Sequence, residues 1–192
     1  MLRRLHPLNT LRRFARKFMG DRKGVSAVEF ALIAPILITL YLGLAELTLG
    51  MMASRKASHL AASIGDLAAQ SESLTNANVA DLFEIGDSII APFDGGSALK
   101  VRITCVTMDK TDNKAKVIWS DPHVWTEENT NDSAVIAAIT TTQLPVGQSL
   151  IVTEVEYDYD SPLHSFLPAN TKFKDVFYHH PRNGSVVVRK AS

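Results

Sequence analysis

The stretch Gly24-Val25-Ser26-Ala27-Val28-Glu29-Phe30, continued by the apolar run Ala31 to Ala45, decides how the chain is read. No residue between Glu29 and Glu46 is charged, and Leu47 to Ala53 extends the apolar character. At about 1.5 Å of rise per residue, such a run crosses a hydrocarbon layer of roughly 30 Å. A membrane helix is therefore expected over residues 25–53. Pro35 and Gly43 lie inside it. Proline removes a backbone donor, so a kink or loosening is expected near Ala31 to Pro35, with neighbouring helices covering the freed groups. Glu29, at the mouth of the run, is the residue out of place. An unpaired carboxylate in lipid costs on the order of several kcal/mol, which calls for a cation from outside this chain.

Charge sets the direction of insertion. Residues 1–23 hold eight Lys and Arg against Asp21 alone, leaving twelve basic and nineteen acidic residues in the remainder of a chain that is neutral overall. Positive charge beside a span stays on the cytoplasmic side. Arg12, Arg13, Arg16, Lys17, Arg22 and Lys23 precede the span, whereas only Arg55 and Lys56 follow closely. The amino end is expected inside and the body outside. The basic leader reads as a targeting segment rather than a nucleic-acid surface, because no folded module surrounds it. Its scattered Leu2, Leu5, Leu11, Phe14 and Phe18 admit a weak amphipathic helix on the inner leaflet. A secretory signal peptide cut after Ala45 is the competing reading, but such a peptide has no reason to keep Glu29.

These residues resemble the type IV pilin-like proteins, and within them the TadE-like pseudopilins of the tight-adherence (Tad or Flp) pilus. The likeness rests on a basic leader through Lys23, then Gly24, Val25, a glutamate five residues after the glycine, Phe30 and the apolar helix. It implies cleavage after Gly24 by a prepilin peptidase, with Val25 as the new first residue. It also implies that Glu29, beside Phe30, meets the freed amine of a neighbouring subunit; physically, a buried carboxylate requires such a cation. The partners implied are the peptidase, other pilins and pseudopilins, the Tad inner-membrane machinery and the lipid bilayer. The function implied is that of a minor pilin or pseudopilin in pilus biogenesis and surface adhesion. An uncut, single-pass anchored periplasmic binding or scaffold domain is the alternative.

The remaining length holds a single domain. The expected organisation is a leader over residues 1–24, the span over 25–53, a helical spine and second helix over 54–92, and a head over 93–192. The overall class is α+β. Leu60, Ile64 and Leu67, with Ala57, Ala61 and Ala68, continue the helical period, while Lys56, Ser63, Asp66 and Gln70 mark its exposed side. Thr75 or Asn76 caps a second helix that ends before Pro92 and offers Val79, Leu82, Phe83, Ile89 and Ile90 to the core. From Leu99 the period becomes two, giving strands at Leu99 to Cys105, Lys114 to Ser120, Gln148 to Tyr159 and Lys172 to Tyr178. Ser185 to Arg189 alternates again after Asn183-Gly184, which reads as a turn. Ala134 to Ile139 reads as a short helix. An antiparallel sheet of four or five strands follows. The run Leu144 to Tyr159 and the closing Pro181-Arg182 extend the TadE-like resemblance.

No catalytic, metal or cofactor site is expected. Cys105 is the only cysteine, which excludes an internal disulfide and points to a small buried hydrophobe. Glu154, Glu156, Asp158 and Asp160 share one strand face. A solvated face, cross-strand pairing with Lys100, Arg102, Lys114 and Lys116, and a calcium site are the candidates. Linear alternation wraps an ion poorly, which counts against calcium. His179 and His180 read as surface residues beside a turn, and His123 has no hydrolase motif around it. Trp119, Trp125, Tyr157, Tyr159, Phe166 and Phe173 read as core or sheet-face aromatics.

Overall fold

A computed structural model describes residues 23–164, 166–168 and 171–190; the readings made for residues 1–22 lie outside them. The apolar run is helical, in a helix longer than a span requires: α1 covers Lys23–Gln70 and continues through Pro35. By contacts the chain forms two compact units, Met1–Ala45 and Glu46–Ser192. In the first, the described residues are α1 alone, with Leu32, Ile36 and Leu40 each about two-thirds exposed. The Thr39 hydroxyl donates to the Pro35 carbonyl at 2.8 Å.

The second unit is built on the rest of α1. Ala53, Ala57, Leu60, Ala61, Ile64 and Ala68 are all buried. Steps of four advance the contact line by about 40° around a helix of 3.6 residues per turn. The buried stripe therefore drifts toward Ala68 and Ala69, and Leu67, expected in the core, is left 39% exposed. Small side chains bring α1 close to the sheet. A Cβ built on Gly65 would stand 2.6 Å from both Thr153 Oγ1 and His179 Nδ1.

After a two-residue strand β1 (Ser73–Leu74), helix α2 spans Asn76–Ile90. Thr75 caps it as expected. Its hydroxyl accepts from the Asn78 N–H at 3.2 Å, and Asn78 Oδ1 accepts from the Thr75 N–H at 3.0 Å. Val79, Leu82, Phe83 and Ile90 are buried, with Ile89 packed at the edge. The other end is closed from α1. Lys56 donates to the carbonyls of Ile89 at 3.1 Å and Ala91 at 2.5 Å, placing a cation at the negative end of α2. Lys56 was expected to face solvent; it is partly buried because it serves this role.

The sheet contains β2 (Leu99–Met108), β3 (Ala115–His123), β4 (Ser149–Tyr159) and β5 (Thr171–His179), in the order β3-β2-β4-β5, all antiparallel. Leu99, Val101, Ile103 and Cys105 join Ile151, Val155, Tyr157 and Tyr159 in the core shared with α1 and α2. Both faces of β2 are buried from Ile103 to Val106, and the pairing with β3 shifts register between Cys105 and Val106. Val106 and Met108, on the face of β2 opposite Cys105, enter a second cluster with Leu150, Val152, Ile136 and Leu144, the last two lying in and after the single-turn helix α3 (Ala134–Ala137).

The closing segment departs from expectation. It does not return along the sheet from an Asn-Gly hairpin. Strand β6 (Val188–Arg189) pairs in parallel with β1. The connection serves α1 instead: the Arg182 N–H donates to the Ala69 carbonyl at 2.8 Å and Asn183 Nδ2 to the Gln70 carbonyl at 2.6 Å. These bonds satisfy carbonyls that a helix end leaves unpaired. Arg189 anchors β6, donating to both carboxylate oxygens of Asp121 at 2.7 and 3.1 Å and to Asn76 Oδ1 at 2.7 Å.

Candidate functional site

Gly24, Val25, Glu29 and Phe30 occupy the first turns of α1. Val25 and Glu29, four residues apart, share a helix face. A Cβ at Gly24 would meet nothing within 4 Å, Val25 is 56% exposed and Phe30 70% exposed. Among the described residues the Glu29 side chain makes no ion pair or hydrogen bond. The apolar side chains that follow are uncovered on every side, and α1 is long and apolar enough to cross a membrane. Exposed apolar surface this extensive is stable in lipid and unfavourable in water.

The family model described as TadE-like protein matches residues 24–65. The chain carries a TadE-like segment. No curated protein and no solved structure matches the chain. The TadE-like segment opens at Gly24 and closes at Gly65, so it takes in both the uncovered apolar run and most of the stripe that holds the sheet. The match spans 42 of the chain's 192 residues, and the likeness it records is to a family associated with the Tad pilus. Membrane association follows from the same apolar helix.

Beyond the TadE-like segment, the acidic face of β4 is occupied by cations. Glu156 is bound by Lys174 at 2.6 Å, Lys172 at 3.0 Å and Lys100 at 3.1 Å, and Asp158 by Lys172 at 2.8 Å and Lys100 at 3.3 Å. Arg102 grips Glu154 through two nitrogens, at 2.9 and 3.0 Å, and lies 4.6 Å above the Trp125 ring. Pairing with Lys100 and Arg102 was expected; pairing with Lys114 and Lys116 is not found. β4 lies between β2 and β5, so β5 supplies Lys172 and Lys174 in their place. Lys116 binds Asp109 and Asp112 at its own end of the β2–β3 hairpin. Asp160 lies beyond β4, exposed, with His164 at 3.5 Å. A cleft of about 440 Å³ beside Trp125, Glu154 and Lys174 is lined by these mutually paired charges.

The Lys174 ammonium holds the Glu156 carboxyl down at about 2, with Lys172 and Lys100 acting the same way against the opposing effect of burial. A carboxyl depressed in the folded state leaves the unfolded chain to take up the proton first. Its stabilisation is complete above about 4.5 and is lost as pH falls toward about 2. Glu156→Gln is expected to flatten the acid limb of the stability curve within that window, removing at most about 3 kcal/mol at neutral pH. Denaturant midpoints followed by tryptophan fluorescence from pH 7 to about 2 check this; an unchanged acid limb would refute it.

The histidines divide. His180 is exposed, but His179, expected at the surface, faces α1 at Gly65 with its Nδ1 buried, and burial pushes its pKa down. His123 stacks on Phe83 with ring centroids 4.7 Å apart. Trp119 donates to the Val187 carbonyl at 2.8 Å. Cys105 is fully buried, and desolvation pushes its thiol up to about 11, which makes it unreactive.

Glu46 is the residue that sequence reasoning passed over. It is fully buried although it sits on α1 directly after the uncovered run. Its carboxylate accepts from the Ser161 hydroxyl and, at 3.0 Å, from the Phe166 N–H. The signal available was an isolated acid interrupting an apolar helix; its partners, more than a hundred residues away, were not legible.

Proposed function

We propose that the chain is a minor pilin or pseudopilin of a Tad-type pilus. Prepilin peptidase cuts after Gly24, the leader remains in the cytoplasm, and the 46–192 unit stands outside the inner membrane. The processed helix joins a fibre or initiating complex that serves surface adhesion, with Glu29 paired to the Val25 amine of a neighbouring subunit and Phe30 packed beside it. The observation that carries this reading is Glu29. It is an acid on an otherwise uncovered apolar helix, without a side-chain partner among the described residues, four residues after the first position that cleavage would free.

Intact mass of the protein from cells with an active prepilin peptidase is the test. A chain beginning at Val25 is expected; full-length protein would favour the uncut anchored scaffold instead. Gly24→Arg is expected to abolish processing, and Glu29→Ala to permit processing while impairing recovery in sheared surface fibres. Normal assembly of Glu29→Ala would defeat the charge pairing.

A further inference from the structure

Position along α1 fixes depth. From Gly24 to Glu46 the helix rises about 33 Å, roughly one hydrocarbon thickness. Leu47 to Arg55 then falls at the outer water interface. Against this turn of helix lies the segment after β4. The Phe166 N–H is tied to Glu46, and Leu167 reaches within 2.9 Å of a Cβ built on Gly50. Leu47, Gly50, Met51, Arg55, Leu167 and Phe173 border an apolar groove of about 240 Å³. On its border Leu47 and Met51 are each about half exposed, and in the chain just before Leu167, Phe166 is half exposed and Leu163 40% exposed. An apolar patch of this kind, continuous with a membrane span and edged by an arginine, matches an interfacial lipid contact, in which apolar groups enter the acyl boundary and the cation meets phosphate.

We propose that Leu163, Phe166 and Leu167 form a membrane foot that sits in the outer leaflet of the inner membrane, with Arg55 at the headgroup phosphates. Lipid is favoured over a second protein chain as occupant because Leu47, Met51 and Arg55 follow in the same helix directly on the exposed apolar run that ends at Leu44. The foot rests on the membrane-span reading. It adds that the 46–192 unit lies against the bilayer instead of being held clear of it by the spine.

The test uses the full chain with Cys105→Ala, reconstituted in vesicles of phosphatidylethanolamine and phosphatidylglycerol. A single cysteine is introduced by Phe166→Cys, Leu163→Cys or, within the span, Leu40→Cys, and is labelled with an environment-sensitive fluorophore. Labels at 163 and 166 are expected to lose fluorescence mainly to lipids carrying a shallow nitroxide, and the label at 40 mainly to a deep one. The shallow quenching is expected to persist as protein is diluted into excess lipid. Arg55→Glu is expected to reduce it in the anionic vesicles and to leave it unchanged in neutral phosphatidylcholine. If the label at 40 is quenched while those at 163 and 166 are not, the foot is overturned and the span stands. Loss of the shallow quenching on dilution would assign the patch to a second copy and also overturn the foot. Absence of quenching at 40 would overturn the span reading, and the foot with it.

Discussion

Leu60→Ala is expected to lose about 2–5 kcal/mol of stability, the range for truncating a fully buried leucine whose surroundings relax only partly. Leu60 has no exposed surface and lies in the core that α1, α2 and the sheet share. Its neighbours leave little scope for collapse. The Leu60 side chain comes 3.6 Å from a Cβ built on Gly86 of α2, and Ile64 Cδ1 comes within 3.0 Å of the same point. With the Leu60 and Ile64 side chains already against Gly86, a void left by Leu60 is not readily filled by its neighbours. Against a total of about 5–15 kcal/mol, such a loss takes a large share of the folded-state margin. Urea unfolding of the full chain in detergent, followed by the fluorescence of Trp119 and Trp125, measures it. A loss below about 1 kcal/mol would mean that the helix pair and the sheet do not share one close-packed core.

Which parts of this architecture were readable depends on how locally each is specified. The period of two in Leu99, Val101, Ile103 and Cys105 and the period near 3.6 in Ala57, Leu60, Ala61 and Ile64 are imposed by one buried face, so both elements are recovered. The capping needs only Thr75 and the three residues that follow it, which narrowed the cap to Thr75 or Asn76; Thr75 takes the role. Leu67 misled because a stripe advancing in steps of four leaves a residue seven positions on behind it. The Asn183-Gly184 pair misled for a different reason. A hairpin signal records that a turn is permitted, whereas the use made of Asn183 is set by the unpaired Gln70 carbonyl, distant in sequence. Lys172 and Lys174 were missed as partners of the acidic face because strand order is not a local property. At the candidate site the positions Gly24, Val25, Glu29 and Phe30 were legible as a short motif, and the family match begins at the first of them.

Glu46→Ala is expected to cost about 1–3 kcal/mol, because the buried Ser161 hydroxyl loses its acceptor and the part-buried Phe166 N–H loses the same carboxylate. The donors are the Ser161 hydroxyl, on a residue only 1% exposed, and the Phe166 N–H. The Ser161 hydroxyl has no water at hand to replace the carboxylate without opening the segment that carries it. The loss is therefore expected as local release of Ser161 and Phe166 from α1 before global unfolding, since a free-energy difference confined to one contact opens the element that depends on it. Hydrogen exchange at the Phe166 amide reads this directly. Exchange should accelerate strongly in Glu46→Ala while amides in the middle of β4 keep their protection. Glu46→Gln should fall between the two, because one of its terminal atoms still accepts whereas the other is a donor set against a donor. The two substitutions also separate packing from hydrogen bonding, as glutamine fills the same space. Equal and unaccelerated exchange at Phe166 in both would show that the loop is held by Leu167 against Gly50 alone. The acid on the helix would then have no part in joining the segment after β4 to the turn of α1 that follows the uncovered apolar run.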